Sequence, residues 1–392
     1  MKQYFLLILV SLSVSTSIFS ADIDWSSQFD NFSTIVSAPS DESVKKRIIT
    51  LLRAKHDTEK LLGRTAIYFS YFDQILHELN LPTDLKYIAC LESELMTESS
   101  SSAGAIGVWQ LMADVKAEFG LRIDGDLDER HDKIRGTEAA LKDMKRMFEN
   151  FNSWDLVLAG YNCGAGKLGA AMKKAHSKEF SKIKKFLPNE TQQYLSKFIA
   201  FSFVLKNYRQ LGLTPELPSL DAQSLIHTKI SHTMSFAKLS EITGISKSDL
   251  KIFNPQFGKS FIPYCATGCN VYLPRRVMSA FNEYVSAVKD SSDSDFKTSP
   301  QVIDEKLPQI EGNPNYFKTT YIVSEGETLE GLAQILDVNK YSVILWNNLH
   351  DETLQIGTEL TIYLPRIIVK RTQFLLPISN VTAIPNAAPE IK

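Results

Sequence analysis

The 392-residue sequence is poor in several features that mark specialised classes of protein. Its 18 Gly and 15 Pro are too few for a collagen-like or low-complexity chain. Neither sign of charge dominates, because 43 Lys and Arg stand against 45 Asp and Glu, and a nucleic-acid partner would call for a basic excess. After residue 21 no apolar run is long enough to span a membrane. We therefore expect two or three globular domains and no nucleic-acid partner.

The first twenty residues have the pattern of a secretory signal peptide. Lys2 precedes an apolar stretch at 4–10, and a Ser-interrupted apolar run follows it to Ser20. An uncleaved anchor is the alternative, but the run is short of the roughly 20 apolar residues that a span needs. We expect cleavage just after Ser20 and no stable membrane span in the mature protein. The expected location is periplasmic or secreted, where thiols can oxidise.

The hydrophobic pattern of the sequence changes once, near residue 225. Before it, apolar residues such as Val44, Ile48 and Leu52 recur at helical spacing, whereas the later part mixes strand-like and helical patterns. We therefore predict an α+β multidomain protein, with a mainly α-helical domain followed by two small modules. The predicted segments are a signal peptide at 1–20, an N-terminal extension at 21–39, the helical domain at 40–210, a first module at 225–276, a helix and polar linker at 277–318, a second module at 319–365 and a tail at 366–392.

The two small modules are internal repeats. Each begins and ends with an alternating, strand-like stretch and has two short helical patterns in between, which predicts a βααβ unit of about 45 residues. The matching positions are Leu239, Ile242, Ile245, Leu250, Asn254 and Leu273-Pro274 in the first repeat and Leu332, Ile335, Val338, Val343, Asn347 and Leu364-Pro365 in the second.

Glu92 has the most unusual setting among the acidic residues of the helical domain. It follows Leu91, lies one turn after Ile88 on an apolar stripe, and is near the end of its predicted helix. Burial and the negative end of the helix dipole both disfavour a carboxylate, so its pKa should be raised. A carboxylic acid that is neutral at physiological pH can donate a proton to a glycosidic oxygen. Nearby, a Gly-x-x-Gly pattern predicts a tight turn that presents the amide of Gln110.

Four motifs in a fixed order resemble a known family. Glu-Ser at 92–93 is followed by G-x-x-G-x-x-Q-x-M at 104–112, Y-N-x-G-x-G at 161–166 and E-T-x-x-Y at 190–194. Together they resemble the lysozyme-like catalytic domain of the lytic murein transglycosylases of glycoside hydrolase family 23. The two βααβ repeats resemble LysM peptidoglycan-binding modules, the second clearly, through Y-x-V-x-x-G-E-T-L at 321–329, and the first in degenerate form.

This resemblance implies an enzyme with one catalytic residue and no cofactor. Glu92 would protonate the β-1,4 bond between N-acetylmuramic acid and N-acetylglucosamine, and its carboxylate would then deprotonate the muramoyl 6-hydroxyl to give a 1,6-anhydro end. Ser93 would support Glu92 locally. Trp109 is expected in the core, and Met112 is equally consistent with the core and with the groove. The family positions that line the saccharide groove or orient the intermediate are Gln110, Met112, Tyr161, Asn162, Glu190 and Tyr194.

The expected partner is the peptidoglycan glycan strand, and the protein is expected to be associated with the cell wall. The modules would tether the enzyme and so raise the local concentration of its polymer. Two alternatives remain open. One is a hydrolytic muramidase on the same fold, in which water captures the intermediate, and the other is a non-catalytic peptidoglycan-binding scaffold.

The four cysteines fall into two pairs. Cys90 and Cys163 belong to motifs that converge on one groove in the resembling fold, so a disulfide and two buried free thiols are both open. For Cys265 and Cys269 a local disulfide is preferred, because a single C-x-x-x-C has too few ligands for structural zinc. His131 has no cluster of partners, so a structural role is expected and no metal site is predicted.

Overall fold

The computed structural model describes residue 29 and residues 32–37, 42–114, 118–290, 313–366 and 381–382. The predicted signal peptide at 1–20 lies outside the described residues, as do positions 291–312 of the predicted linker and nearly all of the predicted tail. Among the described residues, no helix combines the length and the apolar character needed to cross a membrane.

The first domain is built from α-helices, joined by short 3₁₀ turns at Thr83–Leu85, Glu129–His131 and Lys184–Phe186. The helices are α1 (Glu42–Arg53), α2 (Lys55–Glu78), α3 (Lys86–Ser93), α4 (Arg135–Phe151), α5 (Trp154–Cys163), α6 (Ala165–Ala175), α7 (Phe180–Ile183), α8 (Asn189–Gln192) and α9 (Tyr194–Lys206).

Helix α9 is the centre of this domain. It is apolar on nearly every side, with Phe198, Ile199 and Phe203 fully buried, and it packs against α1, α3 and α5. A helix that is hydrophobic all round has to be surrounded by other elements. The surface helices instead carry one apolar face, as α1 does with Val44 and Ile48. The functional ends of α3 and α5 are therefore held by a common buried helix.

The first module has the predicted βααβ order with additions at both ends. Strand β1 pairs with β4 in antiparallel register, from Leu225 opposite Pro274 to Ile230 opposite Cys269, and β2 pairs with β3. The elements are α10 (Leu220–Gln223), β1 (Leu225–Ile230), β2 (Met234–Ser235), α11 (Phe236–Thr243), α12 (Lys247–Phe253), β3 (Phe261–Ile262), β4 (Cys269–Pro274), a 3₁₀ turn at Arg275–Val277 and α13 (Met278–Asp290).

The second module repeats this plan. Its central strand pairs antiparallel with β6 on one side and with β7 on the other. The elements are β5 (Tyr316–Ile322), α14 (Leu329–Leu336), α15 (Lys340–Asn347), β6 (Glu359–Pro365) and β7 (Val381–Thr382). The predicted βααβ units are thus confirmed in both repeats.

The repeated asparagine explains why the two modules share a sequence spacing. Asn254 Oδ1 accepts from the amide of Tyr272 at 2.7 Å, and its Nδ2 donates to the carbonyl of the same residue at 3.0 Å. Asn347 makes the equivalent pair with Thr361, at 2.6 and 2.8 Å. In each repeat, one asparagine side chain thus donates to and accepts from the backbone of the closing strand. These two hydrogen bonds join the second helix to that strand.

Buried polar groups join the first module to the helical domain. The carboxylate of Asp132 accepts from the hydroxyl of Tyr272 at 2.8 Å and from Asn270 Nδ2 at 3.1 Å. The fully buried Lys133 donates to the carbonyl of Phe253 at 2.7 Å, and its ammonium lies 4.2 Å from the ring centroid of Tyr272. The interface therefore resembles a domain interior more than a transient contact.

The second module also contacts the helical domain, mainly at α2. The hydroxyl of Tyr341 contacts Asp73 and accepts from Lys86 Nζ at 2.7 Å, while Asn339 Nδ2 donates to the carbonyl of Ala66 at 2.6 Å. The ring of Tyr341 packs edge-on against Phe69 at 5.3 Å. Both modules therefore have defined contacts with the helical domain.

Candidate active site

Glu92 lies in the last turn of a short helix that the core holds on most sides. Six residues of α3 are buried, whereas Glu92 itself is half-buried. The helix stops directly after it because Glu94 and Leu95 both adopt left-handed backbone conformations, with φ of 51° and 61°. Arg64 Nε donates to the carbonyl of Glu94 at 2.7 Å and so satisfies one of the free carbonyls at this helix end. The carboxyl group is thus fixed at the edge of the core.

Tyr194 is the direct partner of the Glu92 carboxyl group. Its hydroxyl donates a hydrogen bond to Glu92 Oε1 from the first residue of α9. Burial raises the pKa of Glu92 to about 7, the hydrogen bond from Tyr194 lowers it, the carboxylate of Glu190 raises it and the ammonium of Lys197 lowers it. The shift has the direction predicted from the sequence. A group with a pKa near 7 can both give and take a proton at neutral pH.

Ser93 joins helix α3 to the following loop. Its buried hydroxyl lies 2.8 Å from the carbonyl of Val108 and 3.2 Å from that of Ala89, so it spans from the helix to the loop. The predicted local support of Glu92 by Ser93 is consistent with this bridge.

Gln110 lies in the same loop in a left-handed conformation, with φ of 49°. Its Nε2 donates to the carbonyls of Ser99 and Gly107, at 3.1 and 3.0 Å. The amide donor therefore closes the loop on itself. A role for Gln110 in sugar binding would have to use its remaining carbonyl oxygen or follow a rearrangement of the loop.

Arg130, which sequence reasoning missed, fastens this loop to the helical domain. It is buried, pairs with Asp128 at 2.7 Å, and donates to the carbonyls of Gly104 and Leu111 at 3.2 and 3.3 Å. Its own carbonyl lies 2.3 Å from the point where a Cβ on Gly107 would be, so this glycine is required for close packing. The only sequence signal was an Asp-Glu-Arg-His-Asp run at 128–132.

Tyr161 and Asn162 come from the end of α5, and hydrogen bonds fix both side chains. The hydroxyl of Tyr161 donates to the carbonyl of Trp109 at 2.6 Å, and Asn162 Oδ1 accepts from the hydroxyl of Thr191 at 2.7 Å. Tyr161 is close enough to Glu92 for that carboxylate to raise the pKa of its phenol, although burial is the larger cause. Thr191 belongs to the E-T-x-x-Y motif but had no predicted role, and its hydrogen bond links α5 to α8.

The two remaining predicted groove residues are more exposed. Glu190 has a side chain that is 68% exposed and faces Lys197 Nζ at 3.5 Å. Met112 is 42% exposed, which places it at the surface and excludes the core alternative. Trp109 is fully buried and its Nε1 donates to the hydroxyl of Thr137 at 2.8 Å, as expected of a core residue.

Cys90 and Cys163 are free thiols, so the disulfide alternative for this pair is wrong in this structure. The reason is that they face different surroundings. Cys90 is fully buried in α3, where burial raises the pKa of its thiol, whereas Cys163 is half-exposed at the end of α5. The alternative of two buried thiols therefore holds for Cys90 alone. Cys265 and Cys269 form the predicted local disulfide.

His131 has a structural contact, in that its Nδ1 lies 2.7 Å from the carbonyl of Thr97. Burial lowers its pKa, which favours the neutral ring. Within the described part of the chain, no group of three or more His, Cys, Asp or Glu residues could hold a metal ion.

Comparison with family models divides the chain into three matched regions. Residues 74–184 match the transglycosylase SLT domain, residues 225–290 match the LysM-like domain of lytic transglycosylase MltD, and residues 321–362 match the LysM domain. These matches, with the similarity described next, identify a lytic transglycosylase of the SLT type, and so a lyase, that carries LysM-type domains.

The chain is similar to membrane-bound lytic murein transglycosylase D from two strains of Escherichia coli. Identity is 28% over 329 residues, which cover 83% of this chain and 69% of the relative. A tributyltin chloride resistance protein of an Alteromonas species is 29% identical over 117 residues, covering 30% of this chain and 56% of that protein.

Two solved structures also match. An inactive mutant of lytic transglycosylase Slt from Pseudomonas aeruginosa has 18% identity and a TM-score of 0.31, covering 38% of this chain and 25% of that one. The 70 kDa soluble lytic transglycosylase of Escherichia coli has 18% identity and a TM-score of 0.32, covering 36% and 24%. The chain thus spans about a quarter of the length of these proteins.

Proposed function

We propose that this protein cleaves peptidoglycan glycan strands by transglycosylation, with Glu92 as the single acid and base. The main support is the half-buried carboxyl group of Glu92, whose pKa is near 7 and which has the Tyr194 hydroxyl on one oxygen. In its neutral form Glu92 donates its proton to the oxygen that links N-acetylmuramic acid to N-acetylglucosamine. The bond from that oxygen to the anomeric carbon then breaks, and positive charge develops on the muramoyl ring.

The second half of the reaction returns the proton to Glu92. The carboxylate removes the proton of the muramoyl 6-hydroxyl, whose oxygen attacks the anomeric carbon and closes the 1,6-anhydro ring. Water is not consumed and Glu92 ends as it began. Tyr194 holds the carboxyl group in place during both transfers, and the hydrogen bond stabilises the ionised form between them.

The geometry favours this route over the paired-carboxylate mechanism. Retaining glycosidases need a second carboxylate as nucleophile, and inverting ones need it to activate water. Glu190 is the acidic residue that acts on the pKa of Glu92, but its side chain is mostly exposed and lies beside Lys197. We therefore give Glu190 a groove-lining and electrostatic role, and give the other family positions, Gln110, Met112, Tyr161 and Asn162, contacts with the sugar chain.

The LysM-type modules serve as tethers in this proposal. The second module has a surface pocket of about 320 Å³ between residues 349 and 358, lined in part by Leu349, Asp351 and Thr353. Holding the polymer there raises its effective concentration at Glu92. The function places the protein at the cell wall, in the periplasm or outside the cell.

Mass spectrometry of digested peptidoglycan tests the proposal. The native chain should release muropeptides with 1,6-anhydro ends, and Glu92→Gln should release none. Reducing ends would instead identify a hydrolytic muramidase. Absence of release by the native chain, together with an unchanged biological role for Glu92→Gln, would identify a non-catalytic scaffold.

A further inference from the structure

One large cavity of the structure lies away from Glu92. It has a volume of about 1110 Å³ and lies where the helical domain, the first module and the second module meet. Tyr71 of α2, Ile226 of β1 and Trp346 of α15 each contribute to its wall. None of the residues assigned to the transglycosylase site lines it. The cavity therefore exists only when both modules are in place on the helical domain.

The cavity wall carries five carboxylates and three lysine or arginine side chains, so its formal charge is negative. Lys86 pairs with Asp73 at 2.9 Å, and Lys340 lies 3.2 Å from Glu330 and 3.1 Å from Glu352. The third cation, Arg275, is also paired, with Asp337 of the second module. Because each lysine and arginine of the wall already has a carboxylate partner, the cavity offers no free cation to an anionic ligand.

The rest of the wall has the chemistry of a saccharide site. Rings of Trp346 and Tyr363 supply aromatic surface, and Gln334 supplies an amide. Ser342 lines the same cavity, is 1% exposed, and has a hydroxyl with no hydrogen-bond partner among the described residues. Aromatic faces and amide groups suit a ligand that is apolar on one face and rich in hydroxyl and acetamido groups on its edges.

We propose that this inter-module cavity binds a stretch of uncharged, β-1,4-linked N-acetylhexosamine chain, as a second saccharide site separate from Glu92. Its volume is slightly above the roughly 300–1,000 Å³ typical of ligand pockets, which suits several linked rings. Since all three units form its wall, a bound chain stabilises the docked arrangement. The identity of the sugar rests on the proposed function, whereas the presence of a polar site without a free cation rests on the wall alone.

Fluorine NMR of the full-length Glu92→Gln variant labelled with 5-fluorotryptophan tests this site. The probe is the hexamer of N-acetylglucosamine, and Trp346→Phe assigns the resonance. We expect the Trp346 signal to shift saturably on titration. Gln334→Phe, which places a ring at the cavity wall, should weaken the affinity for the hexamer by about tenfold or more. Ile335→Phe is the matched control, since Ile335 is 55% exposed on the same helix and is not part of the wall, and it should leave affinity within about twofold.

Three outcomes would overturn the site. They are an unchanged Trp346 signal, equal weakening by both phenylalanine variants, and an equal response to a glucose hexamer without acetamido groups. The muropeptide assay on the chain with Glu92 intact separates this inference from the enzyme assignment. Anhydro products without a Trp346 response reject only the cavity site, and a Trp346 response without anhydro products rejects only the transglycosylase.

Discussion

Several neighbours together set the chemistry of Glu92. Burial raises its pKa most, and three nearby groups then adjust the value to about 7. The sequence could predict burial from the apolar stripe, because that depends on local spacing. It could not predict the contribution of Lys197 or the hydrogen bond from Tyr194, because each requires α9 to pass close to α3. The raised pKa of Glu92 was therefore predictable, and the neighbours that adjust its value were not.

Glu92→Gln should abolish activity and stabilise the fold at high pH. The pKa of Glu92 is about 7 in the fold against 4.5 ordinarily, so this carboxyl group stabilises fully below pH 4.5 and loses that contribution as pH rises through 7. The neutral amide avoids the loss and should gain about 1–3 kcal/mol at pH 8 and little at pH 4. Thermal unfolding of the native chain and of Glu92→Gln at both pH values measures this difference in stability. Glu98→Gln, at an exposed position, should change neither activity nor the pH trend.

Substitution of Tyr194 and of Glu190, which both adjust the pKa of Glu92, should move the pH profile of kcat/KM in opposite directions. Because only neutral Glu92 can donate a proton, kcat/KM should fall as pH rises through about 7. Tyr194→Phe removes a hydrogen bond that lowers the pKa of Glu92, so the fall should move to higher pH. Glu190→Gln removes a charge that raises this pKa, so the fall should move to lower pH. Shifts in the same direction for both variants would contradict this electrostatic account.

At the scale of elements, periodicity predicted helices well where one face is buried. The helical spacing of Val44, Ile48 and Leu52 is confirmed as the buried face of α1, and the predicted βααβ order is confirmed in both modules. Helix α6 has little apolar periodicity, because its segment is rich in Gly and Ala and buries only Leu168 and Ala171. In helix α2, which begins at Lys55, charged residues on the exposed face obscure the period of the buried Leu61 and Leu62. Short or charged helices give a weak period, and tertiary packing decides them.

The loop that follows Glu92 was predictable as a turn but not as a packed element. Its glycines predicted the turn. The hydrogen bonds from Arg130 to the carbonyls of Gly104 and Leu111 join positions far apart in sequence, so the sequence did not predict them. The sequence also did not predict that the Gln110 amide would donate to carbonyls within the loop instead of facing outwards.

Gly107→Ala should therefore destabilise the protein more than Gly104→Ala. Both glycines have positive φ, at 78° and 85°, so both substitutions carry a backbone cost of roughly 1 kcal/mol. At Gly107 the new Cβ would also lie 2.3 Å from the carbonyl oxygen of Arg130, whereas nothing lies within 4 Å at Gly104. We expect a further loss of about 2 kcal/mol or more at Gly107. Urea unfolding of the two variants gives this difference, and equal losses would show that the loop shifts freely.

At the scale of the whole molecule, the two modules pack against the helical domain and are not joined to it by the chain alone. The core of the first module includes Leu127 of the helical domain, with Ile134 and Tyr71 packed against it. Lys133 is fully buried in the same interface, where desolvation lowers its pKa to about 8. The sequence predicted each module but not these contacts, because the residues that make them look like ordinary surface charges.

We expect the helical domain and the first module to unfold as one unit, and Asp132→Ala tests this. Asp132 is 3% exposed, and its carboxylate accepts from Tyr272 and Asn270 of the module and caps the amides of Ile134 and Arg135. Its loss leaves buried donors without an acceptor, which should cost about 2–5 kcal/mol. Hydrogen exchange should then accelerate in β1 and β4 as well as in α4.

Asp126→Ala is the matched control for this coupling. Asp126 also links the helical domain to the first module, through Lys259 Nζ at 2.8 Å, but both side chains are exposed, at 37% and 65%. An exposed ion pair contributes little to stability because water screens it, so this variant should leave exchange in β4 nearly unchanged. If Asp132→Ala accelerated exchange in α4 alone, with β1 and β4 protected as in the native chain, the two units would be independent. The buried contacts at Asp132 and Lys133 would then be a docking interface and not a shared core.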